Sequence, residues 1–173
     1  MPSLAYARWI EFVGDPHDLL QRFQAAVSAD DPGPHALSRA VIVGLAAAWE
    51  TYVEHVAVEA GYWALDPPAL DQLETTVRRF NNPTADHVAN LIRQAIGRDP
   101  WPYVMVVGKT ASETREVVNV HQRTRHQIAH GQARPRFREA MLVERIEFFR
   151  ELVGNLDSFL EGELESRMGL APW

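Results

Sequence analysis

The sequence contains no cysteine. That excludes disulfides and thiolate metal sites, and it points to a reducing compartment. The first residues, "MPSLAYARWIEFVG", lack a basic segment followed by an apolar run, so no secretory signal is read there. The most apolar stretch, Ala40 to Trp49, is shorter than the ~20 residues a bilayer-spanning helix takes. Strand signals are scarce. Only Val104 to Val107, in "WPYVMVVGK", is β-like, and it is short and isolated. Internal repeats, linkers and low-complexity segments are absent too. These absences make no membrane partner and a cytoplasmic location the default expectation.

What is present is helical periodicity. The chain has 173 residues, enough for one domain, and 46% of them are hydrophobic, enough for a sizeable core. "DPHDLLQRFQAAVSADDPGP" predicts a helix from Pro16 to Ser28, with Asp15 as N-cap and a stop before Pro32 and Gly33. A long helix follows from Pro34 to Tyr62. Its apolar stripe is Leu37, Val41, Leu45, Ala48, Tyr52 and Val56. "DPPAL" breaks that pattern. Two shorter helices are read at Ala69–Phe80 and Pro83–Ile96, the second with Asn82 as N-cap. "GRDPWPYVMVVGK" is a loop. Ser112 to Ala129 is a helix stopped by Gly131, and a closing helix runs from Phe137 to Met168. Its buried face is Ile146, Phe149, Leu152, Leu156, Phe159 and Leu160. The expected fold is all-α, a single-domain antiparallel helical bundle over residues 1–173.

The net charge of −6 argues against a nucleic-acid partner, but its distribution is uneven. Between Lys109 and Arg138 stand seven cations (Lys109, Arg115, Arg123, Arg125, Arg134, Arg136, Arg138) and two anions (Glu113, Glu116). That window is therefore +5 and the rest of the chain −11. The island is either a candidate anion-binding surface or a solvated helix terminus.

Inside it lies "RHQIAHG", Arg125 to Gly131. Arg125 and His130 are offset by about 140° and ~7.5 Å on a continuous helix, so they do not bond each other directly. They can converge on one phosphate if the helix loosens at Gly131 or a second subunit contributes. Histidine moves protons near neutral pH, and arginine grips phosphate in a bidentate fork. A base and a fixed cation suffice to drive a ribose 2′-hydroxyl into its own phosphodiester, with no metal or other cofactor.

"RHQIAH" resembles the R-x-x-x-x-H signature of HEPN-domain proteins, in which Asn, Asp or His commonly follows the arginine, as His126 does here. The order of a long early helix carrying "AAAWETYVEHV", the motif near the end of a later helix, and a long closing helix also fits. The layout is most similar to the RiboL-PSP branch. The resemblance implies a HEPN-like fold and a metal-independent endoribonuclease of the toxin or antiviral-defence type. It acts on RNA as a homodimer, sometimes under a cognate antitoxin protein. On that basis Arg125 binds the scissile phosphate, His130 is the acid/base and His126 orients them. Arg123, Arg134 and Arg136, with Arg138 beside them, would hold flanking phosphates. The family often places an acidic residue on an earlier helix. Glu50 and Glu54 are the supporting candidates here, Glu50 preferred because it follows Trp49.

Two rivals stand beside this reading. One is a non-catalytic HEPN-like module that binds nucleotide or protein. The other is a metal-dependent hydrolase, because His126 and His130 have the i, i+4 spacing by which one helix face offers two imidazoles to zinc. It needs a third ligand such as Glu50, Glu54 or His55, and no H-E-x-x-H pattern supports it. His121 is read as a partly exposed helix residue. His17, His35 and His87 lie near helix starts with no partner named. Trp101 and Tyr103 either stack an unpaired base or plug a core edge, the latter preferred. Trp9, Trp49 and Trp63 are read as core or dimer-interface residues.

Overall fold

Seven helices are formed among the described residues of the computed structural model, which are 2–28, 34–132, 135–169 and 171–173. They are α1 (Leu4–Phe12), α2 (Gly14–Ser28), α3 (Pro34–Ala64), α4 (Pro67–Val77), α5 (Ala85–Ile96), α6 (Ala111–Ala129) and α7 (Glu139–Met168). The fold is all-α. No strand occurs among these residues. Val104 to Val107 is part of the α5–α6 loop, with Val104 and Val106 buried and Val107 exposed.

The core is built along α3 and α7. The expected stripe of α3 is buried apart from the half-buried Leu37. That of α7 is buried apart from the half-buried Phe159. By length and composition α3 would also serve to cross a membrane, but 56% of its apolar window is buried against the other helices. An aromatic column ties four helices together. Trp9 meets Tyr52 edge-on at 6.2 Å, Tyr52 stacks on Trp49 at 6.0 Å, and Trp49 meets Phe149 at 5.5 Å. Phe149 then meets the His121 ring at 4.7 Å. Each such aromatic pair adds about 0.5–1.5 kcal/mol beyond burial.

Pairing is antiparallel between α3 and the α1–α2 arm, since Glu59 meets Leu4 and Ala5, and Gly44 meets Pro16. The arm also runs antiparallel to α7, with Ser3 on Asp157 and Gln24 on Glu139. α3 and α7 themselves run the same way, pairing Trp49 with Phe149 and Tyr52 with Val153, so the two longest helices are parallel and not antiparallel as expected. α4 seats closely on α3 because residue 61 is glycine. A Cβ there would collide with the Leu73 side chain.

Several helix starts differ from the sequence expectation. α2 begins at Gly14, so Asp15 lies in its first turn and is not its N-cap, and α7 begins at Glu139 rather than Phe137. α1 was not expected. Its N-cap Ser3 is buried and bonded by its N–H and hydroxyl to the Asp157 carboxylate, while Glu59 accepts from Leu4 and Ala5 N–H at 2.9 and 3.0 Å. "DPPAL" opens α4 rather than merely ending α3. Asp66 caps it by accepting from Ala69 N–H, and Pro67 fills the first turn. The N-cap of α5 is Thr84, not Asn82. Asn82 instead takes a left-handed φ of 53°, and its N–H donates to Glu50 at 3.1 Å. The expected stop at Pro32 and Gly33 falls outside the described residues.

Candidate active site

α6 is fixed at both ends by local hydrogen bonds. At its start Thr110 and Glu113 form a reciprocal capping box. Those Thr110 bonds hold the Glu113 carboxyl below its ordinary pKa. At its end His130 is the C-cap and Gly131 turns left-handed at φ 66°. Gly131 N–H donates to Ile128 carbonyl at 3.2 Å and Gln132 N–H to Gln127 carbonyl at 2.9 Å. This bond pair is a Schellman end, and Gly131 is the helix stop that the sequence predicts.

The first part of α6 is core. Thr114, Val118, His121 and Gln122 are buried. His121 is therefore not the partly exposed residue expected: it is 1% exposed and packed on Phe149. Burial, with the nearby Arg145 cation, pushes its pKa down to about 3. The Arg145 guanidinium, its own pKa lowered by burial, donates to Val117 carbonyl at 3.0 Å.

Beyond Gln122 the helix emerges from the core. His126 and His130 are exposed and their rings meet in a tilted pair, centroids 4.2 Å apart at 49°. Arg125 is half-buried and has no hydrogen bond or ion pair among the described residues. Ile128, half-buried against the core, pins this last turn. The end of α6 thus presents two imidazoles and one uncommitted guanidinium on a backbone held by the Gly131 turn.

The basic island is thinner than its sequence count. Arg115 pairs with Asp86 at 2.6 Å and Arg123 with Glu116 at 2.7 Å. Arg136 and Arg138 are exposed and unpaired among the described residues. The call on Arg134 lies outside those residues. Trp101 is core, with its indole N–H donating to Ala85 carbonyl at 2.6 Å. Tyr103 stacks on Phe159 at 5.4 Å under the Arg98 cation.

Neither supporting carboxylate is bonded to Arg125, His126 or His130 among the described residues. Glu50 accepts from Asn82 N–H at the approach to α5. Glu54 lines a groove at the α1–α3–α4 end with His55 and Arg8. No group of three His, Asp or Glu side chains is placed to hold a metal ion among the described residues. Sequence reasoning missed the Thr110 capping box, although "TASE" carries its signature. It also missed Asn119, which accepts from Ala85 N–H at 2.9 Å and joins α6 to the start of α5. No local signal marks that contact.

Comparison with protein-family models, with curated proteins and with solved structures finds no match.

Proposed function

We propose that the chain is a metal-independent endoribonuclease of HEPN type, with its site at the exposed end of α6. The observation that carries this is that the exposed His126 and His130, with ring centroids 4.2 Å apart, share the end of α6 with Arg125, which has no partner among the described residues. Arg125 is half-buried, and no carboxylate among the described residues neutralises its cation.

In this reading Arg125 grips the scissile phosphate of an RNA strand. His130 takes the 2′-hydroxyl proton, the 2′-oxygen bonds to phosphorus, and the bond to the 5′-oxygen breaks. The departing 5′-oxygen receives a proton from a second imidazole. The products are a 2′,3′-cyclic phosphate and a 5′-hydroxyl. His130 of a second copy supplies the second imidazole in a homodimer, and His126 orients the pair. Arg136 and Arg138 hold flanking phosphates. The place of action is the cytoplasm.

The test is a labelled RNA incubated with the purified chain in EDTA, followed by analysis of the product ends. Cyclic-phosphate ends from the wild type are expected. Cleavage that EDTA abolishes and zinc restores would overturn the metal-free reading. Arg125→Lys keeps the charge but not the fork, so its cleavage rate should fall about tenfold or more. Full activity in that variant would count against a bidentate grip.

A second reading is a binding module without cleavage. The ion pairs Arg115–Asp86 and Arg123–Glu116 favour it, because they leave fewer free cations for an RNA strand than a nucleotide or protein ligand needs. Binding of a nucleotide with no cleavage of RNA by the wild type would support it.

A further inference from the structure

At the far end of α3 a groove of about 1020 Å³ opens between α1, α3, α4 and the C-terminal residues. Its walls are apolar and aromatic: Leu4, Val58, Tyr62, Trp63, Val77 and Trp173. Tyr62 and Trp63 are 69% and 41% exposed, an unusual cost for large aromatic side chains. Their rings meet at 90° with centroids 6.0 Å apart. That arrangement gives a pocket two aromatic walls at a right angle.

The charged groups of the groove are unequally committed. Glu59 spends its carboxylate on Leu4 and Ala5 N–H. Arg78 pairs with Glu74 at 3.4 Å. Arg8 is exposed and faces His55 Nδ1 at 3.5 Å. Glu54 is half-buried and has no hydrogen-bond or ion-pair partner among the described residues.

We infer that this groove binds a small organic cation, its apolar body against Tyr62 and Trp63 and its ammonium group on Glu54. Cations sit on the faces of aromatic rings and pair with carboxylates, and both gains grow as water is excluded. Glu54 is the less hydrated of the two uncommitted charges, so a ligand charge opposite to it gains more than one opposite to the exposed Arg8. Burial, and then the Glu50 charge, raises the Glu54 pKa. A bound ammonium would offset both by pairing with the carboxylate. The site is separate from the end of α6, and its test is independent of RNA cleavage.

The experiment is calorimetric titration of the full chain with phenethylammonium, 2-phenylethanol and 3-phenylpropionate. The ammonium compound should bind saturably, and Glu54→Gln should weaken it about tenfold. Tyr62→Ala, at an exposed position, should weaken it as well. The alcohol and the carboxylate should bind more weakly than the ammonium. Equal or tighter binding of phenylpropionate would make the groove an anion site on Arg8 and overturn the inference. So would unchanged affinity in Glu54→Gln, or no saturable binding of the cation.

Discussion

His121 and His130 belong to one helix and share one side-chain chemistry, yet the fold gives them opposite surroundings. His121 is sealed against Phe149 and takes up a proton only at about pH 3. His130 caps the emerging end of the same helix, exposed and beside the His126 ring. The change happens between Gln122, which is buried, and Arg123, which is exposed. A histidine count near a motif therefore says little about proton transfer. What decides is which turn of the helix has left the core, because burial removes the charged form of the imidazole.

The sharpest way to break this contrast is to exchange the two losses. His130→Ala should lower RNA cleavage by about 10²-fold or more while leaving unfolding in urea within about 0.5 kcal/mol of wild type. His121→Ala should do the reverse, with stability falling by about 2–4 kcal/mol through the cavity beside Phe149. Cleavage by the folded fraction of that variant should persist. An unfolded His130→Ala protein would make His130 a packing residue and remove the proposed site.

A second, smaller effect is in pH. In the unfolded chain His121 takes a proton near the ordinary value of about 6.5. In the fold it stays neutral until about pH 3. Between those values the unfolded state binds more protons, so this group costs stability as pH falls, by up to about 1.4 kcal/mol per pH unit. His121→Leu should be free of that loss. It also removes the unpartnered buried Nε2. Urea unfolding of both proteins at pH 7, 5 and 4 should show the variant gaining on the wild type with each step down. Parallel curves would mean that His121 is already charged or hydrated in the fold.

The smallest effect concerns the turn that aims His130. Gly131 has φ 66° and, among the described residues, nothing within 4 Å of where a Cβ would lie, so Gly131→Ala meets a backbone cost. About 1 kcal/mol is expected, with Gly131→Asn milder because Asn tolerates the left-handed region. A melting series of the three proteins checks the order. An Ala variant as stable as wild type would mean that α6 ends differently from the Schellman turn.

Most helices were legible because their signals are local. Apolar stripes identify α3 and α7, and Gly131 stops α6 through bonds that span only a few residues. The start of α1 has a local cap, Ser3 accepting from Tyr6 N–H at 2.9 Å, but the start is also held by Asp157 and Glu59, residues remote in sequence. The start of α5 likewise has a local cap in Thr84, which accepts from His87 N–H at 3.3 Å, and remote partners beside it. Glu50 and Asn119 supply partners to Asn82 and Ala85, and no window around Pro83 contains them. In the candidate site the motif residues and their helix-end position could be read directly. The pairing of Arg123 with Glu116 and the separate surroundings of Glu50 and Glu54 could not.

By itself the sequence determined an all-α chain, the ends of α6, and the placing of Arg125, His126 and His130 on its last turns. Capping and periodicity act within a turn or two of helix, so they survive any packing that keeps the helix. Only the tertiary structure decided that His121 is silent near neutral pH, that Arg125 stays uncommitted, and that Glu54 faces an aromatic groove. Those properties depend on burial and on partners from distant segments, and they exist only once the helices are packed.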